Sequence, residues 1–209
     1  GADWWEQAGS KALAEIEAVL ARCEVVEVGI DGGGLDDLLG LSVIGRCVES
    51  GDWLHWAHAW AHRSVLERRK SEAPLLLDLQ AEGSLTIVEE VGQDVVQVAD
   101  YVEQCESAGL LDKIGIDPAA VGMLVDEITG RGIQMERIVG VSQGWRLVGA
   151  IKTTERKLAE GKFKHGGSRL MAWSVSNAKI EPRGNAVIIT KQASGTGKID
   201  PLMATLNAV

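Results

Sequence analysis

The chain has no cysteine framework to fold around. Its three cysteines, Cys23, Cys47 and Cys105, are odd in number and show no C-x-x-C spacing. That excludes a disulfide scaffold or a structural zinc site and points to free thiols in a reducing compartment. No apolar run approaches the roughly 20 residues that cross a bilayer, and no signal peptide is recognisable at the start. A membrane partner is therefore not expected. The chain opens on Gly1 rather than Met, as expected of an excised fragment or a tag scar. A Pro/Ser-rich linker, an internal repeat and a low-complexity tract are all missing, so one generous domain is expected. The Walker phosphate loop is missing too. "SGTGKID" at 194–200 invites the comparison, but Gln192 stands where glycine is needed and Ile199 where Ser or Thr is needed.

What is present suits a soluble α/β core. Of 209 residues, 45% are hydrophobic and 24% charged, enough to bury an interior without staples. The formal net charge of −9 argues against a general nucleic-acid coat. The charge is uneven, however. Between Arg146 and Lys198 there are eleven basic residues against three acids, a net +8, which leaves −17 for the rest of the chain. Within that stretch Lys152, Arg156, Lys162, Lys164, His165 and Arg169 are the candidate phosphate contacts. A solvated helix face is the plain alternative.

The apolar spacing predicts a helix over 3–22, then a three-strand meander: "EVVEVGID", "LLGLSVIGRCVE" and, less clearly, "DWLHWAHAWAH". A helix starting at Pro74 follows, then "SLTIVEEV" as a short strand or extended connection, and a helix that stops at Gly109. "DKIGID" is a strand, Pro118 opens the next helix, and "MERIVGVS" is a strand. Helices are expected at "GWRLVGAIKTTERKLAEG" and "SRLMAWSVSNAKI", with "KFKHGG" a polar loop between them. "NAVIITKQ" is a strand and "GKIDPLMATLNAV" a closing helix. The order implies a mixed sheet, antiparallel meander then parallel strands, flanked by helices.

Two predicted strands end alike, "VGID" at Asp31 and "KIGID" at Asp117, and Asp200 opens the last helix. If the two strands are neighbours, their carboxylates repel unless a cation neutralises them. Oxygen donors without Cys or His select magnesium or manganese. Two such ions would clamp the attacking and leaving oxygens of a phosphodiester, and the glycines at 32–34 would leave room for a polymer backbone. Solvated turn acids with no chemistry are the alternative. The histidines of "HWAHAWAH", His55, His58 and His62, would share a face on a helix as in a zinc site. On a strand, His55 faces away from the other two.

The ordered run "DGGGLDDLLGLSVIGR", "WLHWAHAWAH", "GIDP", "QGWRLVGAIKTTERKLAEGKFKHGG", "LMAWSVSNAKIE" and "KIDPLMA" resembles the C-terminal nuclease domain of the large terminase subunit of tailed bacteriophages, over roughly 24–209. The resemblance implies an RNase H-like fold with the first and fourth strands adjacent, and residues 1–23 are expected to form an N-terminal helix that serves as the linker or as a domain-docking element. It implies metal-dependent endonucleolytic cutting of concatemeric viral DNA with two magnesium or manganese ions. It also assigns Asp31, Asp117 and Asp200 as catalytic metal ligands, with Lys198 and Asp37 auxiliary. The partners implied are double-stranded DNA and, in the full assembly, the small terminase subunit and the portal, in the host cytoplasm. The family's large subunit also carries an ATPase motor, and this sequence has no motif for one. Another RNase H-like nuclease such as a junction resolvase, or a non-catalytic DNA-clamping or docking module, are the rival readings.

Overall fold

The computed structural model describes residues 2–117, 121–184, 186–191 and 197–209. The Pro118 helix start and the Gln192 position of the rejected Walker match lie outside them.

The predicted first helix is broken in two: α1 (Ala2–Gln7) and α2 (Ile16–Leu20). The break falls at Gly9 and Ser10, where the Ser10 N–H donates to the His165 carbonyl at 2.7 Å. Trp5, Leu13, Ile16 and Val19 are buried, so this segment packs into the domain.

The meander forms as expected, with β1 (Cys23–Gly32), β2 (Leu39–Cys47) and β3 (Trp53–His62) paired antiparallel. After α3 (Ser64–Arg68) and α4 (Ala73–Ala81), the uncertain "LTIV" is a true strand, β4 (Leu85–Val88), parallel to the second half of β3. Then come α5 (Gln93–Ser107) and β5 (Leu111–Ile116), which lies parallel beside β1. The strand implied as fourth is thus fifth in chain order. It is followed by α6 (Val121–Gly130), the short β6 (Ile138–Gly140) parallel to β5, and α7 (Val148–Ala159).

The expected polar loop "KFKHGG" contains a strand, β7 (Phe163–His165), parallel to the first residues of β3. Phe163 is fully buried and drives it inward. α8 (Arg169–Ser176) is shorter than predicted. Its last turn gives way to β8 (Ala178–Arg183), which pairs with β9 (Ala186–Lys191) as a separate hairpin, and α9 (Asp200–Asn207) closes the order. The main sheet has seven strands in the order β4-β3-β2-β1-β5-β6, with β7 also on β3.

Alternation along β1 divides the two faces of this sheet. Val26, Val28 and Ile30 join Leu41, Val43, Val98, Val102 and Ile128 in the main core under α5 and α6. The intervening residues face α9, and there the sheet is paved with glycine. A Cβ on Gly29 would lie 1.9 Å from the Ala204 carbonyl oxygen, and one on Gly115 would lie 2.0 Å from that of Asn207. α9 therefore rests on bare backbone, crossing from β2 over β1 to β5.

Among the described residues no helix is long and apolar enough to cross a membrane.

Candidate metal centre

The pattern Gly-Ile-Asp occurs at the end of both central strands, and each position has its own task. Gly29 and Gly115 admit α9, Ile30 and Ile116 fill the opposite core, and Asp31 and Asp117 follow on the α9 side. Ile30 pairs with Ile116 in the parallel ladder, so the two acids leave neighbouring strands at one level, about 4.8 Å apart by strand spacing. Asp200 is the first residue of α9 with Pro201 behind it. All three line one open cleft of about 620 Å³, together with Gly32, Gly33 and Gly34. Gly32 adopts φ +86°, and a Cβ there would sit 2.1 Å from the Leu38 carbonyl oxygen and 3.1 Å from Asp200 Oδ1. The glycines thus turn the chain away and keep the floor of the cleft clear.

Asp31 is buried and its carboxyl is pushed up to about 8. Burial is the largest cause, followed by the charges of Asp200 and Asp117. Asn207 opposes this weakly. Its Nδ2 donates to the Ile30 carbonyl at 2.8 Å and reaches Asp31 Oδ1 at 3.5 Å. Gln143 Nε2 donates to Asn207 Oδ1 at 3.1 Å and fixes which way the amide points.

Among the described residues, no three His, Cys, Asp or Glu side chains are grouped closely enough to hold a metal ion as they stand. Like charges held 4 Å apart repel by about 4 kcal/mol at an effective dielectric of 20, so carboxylates without a cation stand off from one another. The donor set still fits a hard divalent ion. It is all carboxylate, it converges from two strand ends and a helix start, and it carries negative charge into a buried corner.

Asp94, in the first turn of α5, lines the same cleft. In the sequence it reads as an ordinary acid at a helix start, and only the fold brings it to the other three. Asn207 and Gln143 were equally invisible, because their partners are distant in sequence.

The auxiliary pair of the sequence reading is brought together. Lys198, almost fully buried, forms an ion pair with Asp37, and its Nζ donates to the Asp36 carbonyl at 3.1 Å. Ser64 Oγ holds the Leu35 carbonyl at 2.6 Å and Arg69 Nε holds that of Asp36 at 3.1 Å. Lys198 therefore straps the β1–β2 loop to the chain just before Asp200.

The candidate phosphate contacts scatter. Lys152, Arg156 and Lys162 gather with Lys157 along one flank of α7, and Arg156 pairs with Glu160 at 2.8 Å. Lys164 lies on another surface, near Arg22 and Glu49. Arg169 is engaged by Glu82 at 2.5 Å and Asp78 at 3.6 Å. Lys162 precedes β7 and Lys164 lies within it, level with Trp53 and Leu54, whereas Asp31 is level with Ala59 five to six residues further along β3. That separates them from the acids by about 20 Å.

His165 is corrected outright, since a buried side chain cannot touch DNA. It stacks on Trp5 with ring centroids 4.0 Å apart, its Nε2 lies 2.7 Å from the Trp5 carbonyl oxygen, and its Nδ1 accepts from the Gly167 N–H at 3.0 Å. The zinc reading also fails. His55, His58 and His62 lie on a strand and bond to Thr205, Thr86 and Ser64 respectively.

A family model for the endonuclease domain of the terminase large subunit matches residues 4–209. No curated protein sequence matches. Among solved structures, the large terminase of bacteriophage HK97 superposes with a TM-score of 0.79 at 19% identity, covering 100% of this chain and 42% of that one. This chain thus spans about two fifths of that protein. The large terminase nuclease of thermophilic phage G20c with bound magnesium gives 0.54 at 15% identity, covering 88% and 79% of the two chains. The nuclease domain of the bacteriophage SPP1 large terminase with bound manganese gives 0.52 at 15%, covering 95% and 92%.

Proposed function

This chain belongs to the endonuclease-domain family of phage terminase large subunits, of RNase H-like fold, and we propose that it cuts concatemeric viral DNA with two divalent metal ions. The observation that carries this reading is the delivery of Asp31, Asp117 and Asp200 into one cleft from two adjacent strand ends and a helix start. These three acids would hold the ions, magnesium or manganese. When bound, such ions lower the pKa of an attacking water and stabilise the leaving 3′ oxygen of the phosphodiester.

The chain itself supplies position and room. Asn207 limits how Asp31 can rotate, and Gln143 limits Asn207. The Lys198–Asp37 strap fixes the loop that forms one wall, and Gly33 and Gly34 keep side chains out of the path of a DNA backbone. The basic flank of α7 would grip phosphates without reading bases. In the full protein this domain would work beside an ATPase motor, the small terminase subunit and the portal, in the host cytoplasm.

Plasmid DNA incubated with magnesium, manganese, calcium or EDTA tests the reading. Nicks and breaks are expected with magnesium or manganese and none with EDTA. Calcium should bind but turn over little, because its looser coordination positions an in-line attack poorly. Equal cutting in EDTA refutes a metal-dependent site, and no cutting under any condition refutes the nuclease.

A further inference from the structure

Several tryptophans of this chain are built into its interior, and two are exposed, Trp4 at 39% and, far more, Trp145. Trp5, Trp56 and Trp60 are buried, whereas Trp145 is 64% exposed. Its backbone is nevertheless held firmly. Gln143, two residues before it, donates to Asn207. Leu147, two residues after it, is buried against Ile151 and Leu206, and Gly144–Leu147 form a tight helical turn between these anchors. A rigid turn that points a large aromatic ring at water pays a solvation cost with no return inside the domain.

The position of this turn is informative. The Val141 N–H donates to the Ile116 carbonyl at 2.8 Å, so the chain leaves the sheet one strand from Asp117, at the same carboxyl edge. Trp145 follows four residues later, within about 14 Å of Val141 at full extension. The charge is equally distinctive. On a chain of net charge −9 there is no acid from Arg137 to Thr154. Arg137 is occupied by Glu106. Arg146 lies over the Trp145 ring with its Cζ 5.4 Å from the centroid and donates to Ser142 Oγ at 3.1 Å, and no described carboxylate pairs with it.

We infer that Trp145 and Arg146 are a DNA contact beside the proposed catalytic cleft: Arg146 takes a backbone phosphate, and the Trp145 ring packs on the adjoining deoxyribose. This inference rests on the nuclease reading for its choice of partner. An exposed aromatic beside a cation that no described carboxylate engages is a combination that can hold a nucleic-acid backbone without demanding a sequence. Its place on the turn that leaves the sheet beside the strand of Asp117, at the same carboxyl edge, suits it to holding DNA on the cleft side of the sheet.

The test uses a fluorescein-labelled DNA duplex and calcium, so that binding is read without turnover. Trp145→Ala should weaken binding about tenfold, as expected for loss of an aromatic anchor at an interface, with an unchanged salt slope. Arg146→Ala should lower the slope by about one. Trp145→Phe should recover most of the affinity. The melting temperature, and its rise with manganese, should match wild type in all three variants. Wild-type affinity in Trp145→Ala overturns the inference. So does a loss of affinity that comes with a lower melting temperature and is not rescued by Trp145→Phe, because that assigns the ring to the fold. The two readings fail separately. A wild-type protein that binds but never cuts in manganese refutes the nuclease and leaves the contact standing. One that cuts while Trp145→Ala binds normally refutes the contact alone.

Discussion

Asp31 is the residue at which stability and activity part. A carboxylate buried beside Asp200 and Asp117 costs free energy in the metal-free fold. Asp31→Asn keeps the shape and still offers Asn207 an acceptor. It should therefore abolish cutting while raising the metal-free melting temperature, by about 2–4 °C for each kcal/mol relieved in a domain of this size. Manganese should raise the melting point of wild type and do far less for the variant. Paired melts and a nicking assay check this, and retained cutting with a lower melting point would make Asp31 an ordinary turn residue. His55 offers a prediction of a different kind. Burial holds its imidazole down at about 3, so the folded state keeps it neutral while the unfolded state takes up a proton below about 6.5. Its contribution is complete above that value and is lost as pH falls toward 3. Glu27 and Asp31, raised to about 7 and about 8, act in the opposite sense over much of this range. The clean quantity is thus a difference. Urea titrations between pH 5 and 6.5 should show wild type gaining on His55→Asn by up to about 1.4 kcal/mol per pH unit.

Among the elements, those legible in the sequence were the ones whose signal is local. The meander, α5 and β5 declare themselves by periodicity and by glycine stops, and the repeated Gly-Ile-Asp marked both central strands before their adjacency was known. β7 was not legible, because three residues carry no period and the polar neighbours of Phe163 hid it. The break between α1 and α2 escaped for a related reason. It is set by a hydrogen bond to His165, a partner that local sequence cannot announce. The same long-range capture took His165 out of the DNA-binding set. α7 still carries the proposal of a phosphate grip, since Lys152, Arg156 and Lys162 lie with Lys157 in one ridge on its flank. Replacing Lys152 and Lys162 together with Ala should weaken duplex binding to a similar degree on any sequence and lower the salt slope by about one to two. Fluorescence anisotropy at a series of salt concentrations measures it. An unchanged slope would mean that the ridge faces solvent or another protein.

At the scale of the whole molecule, charge and chemistry are separated in a way composition only hinted at. The acidic body carries the cleft, while the basic excess lies on the later elements that wrap its α9 side. The proposed site residues were legible as acids at element ends, but their meeting is a property of the sheet order, in which the chain crosses the whole meander to set the strand of Asp117 beside β1. The last consequence follows from α9 and its glycine floor. Asp200 is the late-arriving member of the site, and the helix that brings it also roofs the bare backbone at Gly29 and Gly115. During synthesis, at about 5–20 residues per second, Asp31 and Asp117 can be in place while the third carboxylate is still unmade. On the proposed reading a chain that stops short of α9 holds an incomplete site, and a version truncated before Asp200 should leave plasmid DNA intact in manganese.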